Sequence, residues 1–466
     1  MNFLKDKVFL KKILMLSLPI ALQNLITSIL NIFDQLMVGS LPENADNCLS
    51  AVLLANQVVF IFQIVLFAAS NTANIFIAQE TENGDKSKLP TRMGFLLLVS
   101  VVVIAAFTLV CSLAPGFVIG LFSPSESYAH LAEMFLKVVA LSFIPMGVSV
   151  ALNFVMRGIK RMKVGLTANI VAVLCNITLN YVFMFGFEPL GIPAYGLVGA
   201  AYGTIFSRII EFIIMLSGVI IFRYPLFASP KKMFSFEKGF ATQYFKMFFP
   251  ILCNEIFWVL SSTVYLYVYD KLPSSEIALA AMNIAQSVDK IVSVAMIGIG
   301  SAAGIIVGNT IGEGDPDKVK DYASKSTRFS VFTGLIIGLM TFALAFIAPS
   351  FFTEASAEAQ HTATVLLMLF ALTAVVRNTC FMAVIGVLRA GGDTTYCMIA
   401  ETLIIWLISV PLVMVGGLVF KWNIYVLYML GNVSEVIKCV FFLLRVKSNK
   451  WLKFISVKNQ PVENKA

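Results

Sequence analysis

Residues 13–39 form a mainly apolar run, and Asp34 sits inside it, five residues before Gly39. A charge placed in hydrocarbon costs about 2.5–3.5 kcal/mol on insertion scales, so Asp34 calls for a bound cation or proton, or for a route to the interface. Asn31, three residues earlier, shares its helical face. Asn176 and Asn180, four apart in the run 164–186, also share a face, and Thr204 follows Gly199-Ala200-Ala201 in the run 197–222. Carboxylate, amide and hydroxyl oxygens are the hard ligands that Na⁺ or a proton uses, and buried amides equally serve as hydrogen-bonding links between helices. In the second half, Glu255 lies eight residues into the run 247–269, Asp289 and Lys290 lie within 277–308, and Arg377 stands twelve residues before Arg389. Glu255 can hold a cation or pair with Lys290 or Arg377. Arg377 can instead neutralise Asp289, and it would repel a cationic solute. Arg208 with Glu211, and Glu435 with Lys438, have the spacing of local ion pairs, and Glu401 is expected at the membrane interface.

These groups must be positioned by helices that cross a membrane. Of 466 residues only 13% are charged while 59% are apolar, including 40 Phe, and the mean hydropathy is +0.87. Soluble domains carry about 25% charge. So few charges cannot cover a water-facing surface. That excludes a soluble enzyme and predicts an all-α integral membrane protein. Only His130 and His361 are present, no HExxH or CxxC occurs, and the seven cysteines are scattered singly. No metal ligand set and no catalytic constellation follows, so neither an enzyme nor a cofactor is expected.

A membrane helix needs about 20 apolar residues. Polar breaks give twelve: 13–39, 49–78, 93–121, 132–156, 164–186, 197–222, 247–269, 277–308, 328–351, 362–388, 396–420 and 424–444. The first follows Lys5, Lys7, Lys11 and Lys12 without a small-residue cleavage site and is read as a retained helix. With the N-terminus inside, nearly all loop Lys and Arg fall on the cytoplasmic side, against Lys271 and Lys421 alone outside. The positive-inside rule then places both termini in the cytoplasm. The net charge of +8 is thereby a topology signal with attraction to anionic lipid, not a nucleic-acid footprint.

The halves repeat. Leu18-Pro19-Ile20 matches Phe249-Pro250-Ile251, Gly84-Asp85 matches Gly314-Asp315, and Met156-Arg157-Gly158 matches Leu388-Arg389-Ala390, all at an offset of about 231 residues. With six spans each, both copies enter from the same side, giving two pseudo-symmetric six-helix lobes. The division expected is an N-terminal lobe 1–222, a cytoplasmic linker 223–246, a C-terminal lobe 247–444 and a cytoplasmic tail 445–466. Such a build suits alternating access better than a channel or receptor.

Four segments carry a family resemblance. Asn31-Ile32-Phe33-Asp34-Gln35-Leu36-Met37-Val38-Gly39 resembles the first-helix signature of the multidrug and toxic compound extrusion (MATE) family. Gly308-Asn309-Thr310-Ile311-Gly312-Glu313-Gly314-Asp315 resembles its GxxxGxGD loop, Val387 to Thr394 its LRGxGDT segment, and Leu190 to Ala201 its LGxxGAA entry to the sixth helix. The resemblance implies a secondary active exporter of amphipathic, often cationic, small molecules, antiported against H⁺ or Na⁺ by alternating access. It assigns cation or proton coupling to Asp34 and to Glu255, the latter in a Pro-x4-Glu pattern begun by Pro250. The family's fifth helix aids the first-lobe acid with an Asn-xxx-Asp pair; here Asn180 stands where some members have the second Asp. Two close carboxylates would share a proton. Asp34 alone must rely on desolvation or on amide help, from Asn176 and Asn180, with Thr204 adding a hydroxyl.

The coupling set expected is therefore Asp34, Asn176, Asn180, Thr204, Glu255 and Asp289, with Asn31 and Arg377 facing a substrate cleft and Na⁺, if used, at Asp34 or Glu255. The protein is expected as a monomer in the cell membrane, in contact with lipid and not with nucleic acid. The alternative is a flippase of a related fold for a lipid-linked saccharide precursor, which would need free cations for a pyrophosphate.

Overall fold

The computed structural model describes residues 6–41, 45–82, 86–122, 126–222, 224, 226–352 and 356–452, without the side chains at 31, 32, 45, 126 and 127. Among the described residues twelve helices are long and apolar enough to span a bilayer: α1 (Lys7–Gly39), α2 (Asp46–Glu82), α3 (Lys86–Leu113), α4 (Tyr128–Gly158), α5 (Met162–Phe185), α6 (Gly196–Ile221), α7 (Phe240–Asp270), α8 (Ser275–Glu313), α9 (Pro316–Phe351), α10 (Ala357–Leu388), α11 (Thr394–Val419) and α12 (Ile424–Lys447). Among the described residues there is no strand, only an isolated bridge between Phe187 and Ile192. Large apolar side chains such as Leu98, Val101, Val102 and Leu109 on α3, and Leu339 and Met340 on α9, are exposed. That is the surface a lipid-facing helix must present.

The ends of the helices have local causes. Ala114 precedes Pro115, leaves helical geometry (φ −133°) and stops α3 at Leu113, short of the expected 121. Residues before proline are driven from the α region by contact with its ring. The chain resumes as a short helix, Pro115–Gly120. The Gly314-Asp315 motif is a two-residue joint. Gly314 closes α8 at φ +79°, and the Asp315 carboxylate accepts from the backbone N–H of Asp317 and Lys318, both at 3.1 Å, to cap α9. Asp315→Ala is expected to lower unfolding free energy by about 1 kcal/mol. Asp315→Asn should stay near wild type, because Asn caps equally well; thermal melting of purified protein reads the difference. The matching Gly84-Asp85 lies outside the described residues.

The chain forms two compact units. One comprises Met1–Ala21, Ala78–Gly84 and Gln243–Ala466; the other comprises Leu22–Ile77 and Asp85–Thr242. The core of the second, N-terminal unit centres on Phe62, stacked on Phe143 with ring centroids 4.4 Å apart, together with Leu66, Leu136 and Val139. Much of the 223–246 segment packs within this unit. The Thr91 hydroxyl donates to the Lys232 carbonyl at 3.3 Å, and Glu237 pairs with Lys88 at 3.1 Å and with Arg92 at 3.2 Å. Burial pushes the Glu237 carboxyl up, but the hydrogen bonds and charges of Lys88 and Arg92 outweigh it and hold Glu237 below its ordinary range.

The C-terminal unit has two apolar clusters, one around Phe370, Leu366 and Leu427 and one around Val387, Leu388, Phe442 and Trp451. Its tenth and eleventh helices contain π-helical turns at Met382–Leu388, Ile405–Ser409 and Val415–Val419. Such turns carry one extra residue per turn and are frequent at functional sites.

Candidate functional site

In the N-terminal unit, α1, α5 and α6 bring four of the expected residues together. The Asn180 amide donates to Asp34 Oδ1 at 2.8 Å and to Asn176 Oδ1 at 3.0 Å. Asn176 in turn donates to Ser207 Oγ at 3.1 Å, and the Ser207 hydroxyl donates to the Thr204 carbonyl at 2.9 Å. Thr204 thus joins through its backbone, while its hydroxyl returns to the Ala200 carbonyl at 3.0 Å. Both N–H groups of Asn180 are engaged, and its carbonyl oxygen is buried without a hydrogen-bond partner. That oxygen lies against Gly203, in the space that a side chain there would fill. Arg208 pairs with Glu211 at 2.7 Å, as their i, i+3 spacing predicted, so those two charges cancel. Among the described residues no cation lies within ion-pairing distance of Asp34. The Asn31 side chain lies outside the described residues.

Two residues outside the expected set, Ser207 and Gly203, complete this site. Ser207 links Asn176 to α6, and Gly203 lets α6 approach α5 so closely that a Cβ there would lie 2.8 Å from the Asn180 backbone nitrogen. The signal for the second was present in the small-xxx-small spacing of Gly199 and Gly203.

The C-terminal unit holds a larger ionic network. Arg389 Nη1 donates to Glu255 Oε1 at 3.0 Å. Glu401 accepts from Asn254 at 2.9 Å and from Lys438 at 3.3 Å, and Lys438 also donates to Glu435 at 2.6 Å. Arg377 pairs with Asp289 at 3.3 Å, stacks on Phe370 at 4.3 Å and lies within the field of Glu435. Ser293 donates to the other Asp289 oxygen at 2.8 Å. Arg377 therefore serves Asp289, and the partner of Glu255 is Arg389. Lys290 is exposed and forms no ion pair among the described residues. Glu401 is not interfacial as expected, because Asn254 and Lys438 draw it into the buried network. Four carboxylates (Glu255, Asp289, Glu401, Glu435) face three cations (Arg377, Arg389, Lys438), leaving one negative charge in surplus. No group of three or more His, Cys, Asp or Glu gathers as a metal site among the described residues.

The repeat has a counterpart in known sequences: the MatE family model matches twice, over residues 19–182 and 250–415, starting at Pro19 and again at Pro250. The chain belongs to the MatE family. It is accordingly a multi-pass membrane transporter and not an enzyme. A probable multidrug resistance protein, NorM, of Thermotoga maritima is 24% identical over 460 residues, covering 95% of this chain and 93% of the relative. A crystal structure of MATE in the bent conformation superposes with a TM-score of 0.84 at 16% identity, covering 94% of this chain and 96% of that one. A MOP superfamily transporter from Pyrococcus furiosus, described as having a binding pocket of reverse polarity, gives a TM-score of 0.85 at 16% identity over 96% and 97% of the two chains. These structural likenesses establish the MatE fold.

Proposed function

We propose that this MatE protein is a secondary active multidrug exporter, antiporting amphipathic, often cationic, compounds against H⁺ or Na⁺ by alternating access of two six-helix lobes, 1–222 and 247–444. The observation that carries the reading is Asp34, a membrane-embedded carboxylate whose hydrogen-bond donor among the described residues is a neutral amide, Asn180, at 2.8 Å. An acid in that setting has a use for a proton or Na⁺, since the cation that acts on it, Arg208, is already paired with Glu211. The Glu255–Arg389 pair supports a second coupling position in the C-terminal unit, reached when Arg389 exchanges partners. Coupling requires that the ion and the exported compound each prefer a different conformation. The name of the Thermotoga relative supports the drug substrate.

The flippase alternative loses three cations of the C-terminal unit and keeps Lys290. Arg377, Arg389 and Lys438 are each engaged by carboxylates and are not free to hold a pyrophosphate.

The test is efflux of a fluorescent organic cation from proteoliposomes, with a pH gradient and a Na⁺ gradient imposed separately. Wild-type protein is expected to move the cation under one of them, and Asp34→Asn or Glu255→Gln to reduce the driven rate at least about tenfold, a rise of about 1.4 kcal/mol in the barrier. No movement under either gradient by folded protein overturns the exporter reading.

A further inference from the structure

The repeat places two arginines at equivalent positions, and among the described residues Arg389 has a carboxylate partner while Arg157 has none. Counting from Pro19 and Pro250, Gln23 corresponds to Asn254 and Asn24 to Glu255; counting from Arg157 and Arg389, Asn169 corresponds to Glu401. The C-terminal copy gives its arginine a carboxylate, Glu255, at 3.0 Å. In the N-terminal copy every one of those acids is an amide.

Arg157 nevertheless sits in a buried place, 9% exposed at the end of α4. Its Nη2 donates to Gln23 Oε1 at 2.9 Å and its Nε to Asn153 Oδ1 at 3.2 Å, and the guanidinium lies over the Phe154 ring at 4.9 Å. Among the described residues no carboxylate is within ion-pairing distance. Amide dipoles and a ring face offset only part of the cost of burying a full charge, which is several kcal/mol. The rest calls for a negative charge.

Three further observations indicate where that charge comes from. Gln23 is 2% exposed and its Nε2 donor has no partner. Gly165, by lacking a side chain, leaves that donor in place: a Cβ there would fall 2.9 Å from Gln23 Nε2 and 3.1 Å from Asn153 Oδ1 and push both amides aside. No acidic residue occurs between Glu133 and Glu188, whereas Lys160, Arg161 and Lys163 follow Arg157 directly. We propose that Arg157 and Gln23 form a phosphate-binding site in the N-terminal unit, the bound group supplying the counter-charge that Glu255 supplies to Arg389. A guanidinium with an adjacent amide donor matches the oxygens of a phosphate, and the neighbouring cations favour phosphate over a less charged oxyanion. The inference stands whether or not the exporter reading does.

The experiment compares melting midpoints of purified full-length protein in two arms. One titrates inorganic phosphate against sodium chloride of equal ionic strength in neutral detergent. The other compares nanodiscs of phosphatidylglycerol with nanodiscs of phosphatidylcholine. Wild type is expected to rise by about 3 °C or more in at least one arm. Gln23→Glu, which builds in the missing carboxylate, should start higher than wild type and respond little, and Arg157→Gln should not respond. A rise with free phosphate assigns the site to a solute; a rise only with phosphatidylglycerol assigns it to a lipid headgroup. No rise in either arm, or an equal rise in both variants, overturns the proposal.

Discussion

Replacing Lys438 by methionine is expected to cost about 3–5 kcal/mol, a large part of the 5–15 kcal/mol that holds most proteins folded. The lysine is 2% exposed and its ammonium bridges Glu435 at 2.6 Å and Glu401 at 3.3 Å. Methionine fills a similar volume, so packing is nearly preserved and the change isolates the charge. What remains is a pair of half-buried carboxylates facing each other, with Asn254 donating to Glu401. The network's surplus of one negative charge becomes two. Removing the acids with the base should therefore reverse the damage. Lys438→Met with Glu435→Gln is expected to recover most of the lost stability, a coupling that a double-mutant cycle on melting midpoints measures directly. If Lys438→Met alone melts like wild type, the ammonium is solvated and the network does not depend on it.

The contrast between this cluster and its sequence signal shows what was readable. Charges inside apolar runs stand out because hydrocarbon penalises them, so Asp34, Glu255, Asp289, Arg377 and Lys438 were all visible as residues needing a reason. Pairs on one helix were readable too, since i, i+3 spacing alone brings Arg208 to Glu211 and Glu435 to Lys438. Pairs between helices were not. Arg377 meets Asp289 across 88 residues and Arg389 meets Glu255 across 134, and nothing in spacing chooses between the possible partners. Arg389 reads from sequence as a loop cation, and Glu401 as interfacial, because distance along a helix does not tell which side chains turn inward. Ser207 escaped for another reason: hydroxyls in membrane helices commonly bond their own preceding turn, as Ser207 does to Thr204, so its second role to Asn176 has no signature. The helix count followed from composition, while the early end of α3 followed from a single proline whose effect the apolar run concealed.

Gly203→Ala is expected to damage the Asp34 site as severely as loss of an acid. The added methyl would stand 2.8 Å from the Asn180 nitrogen and 3.0 Å from its Cα, and it would overlap the Asn180 carbonyl oxygen. Two of those atoms are backbone or Cα and cannot swing away, so α5 and α6 must part. Overpacking of this kind costs about 1–3 kcal/mol, and valine at the same place should cost more. The functional loss follows from geometry: parting the helices withdraws the amide that donates to Asp34 at 2.8 Å and breaks the chain through Asn176 to Ser207. Stability and gradient-driven transport should then fall together. Gly39→Ala supplies the control, since a Cβ there meets nothing within 4 Å and should leave both unchanged. Asn180→Ala separates the two effects, because it removes the donor and makes no clash: transport should drop as in Gly203→Ala while the melting midpoint falls less. Wild-type melting and transport in Gly203→Ala would mean that α5 and α6 do not approach as closely as Gly203 permits, and that Asn180 does not depend on that approach to reach Asp34.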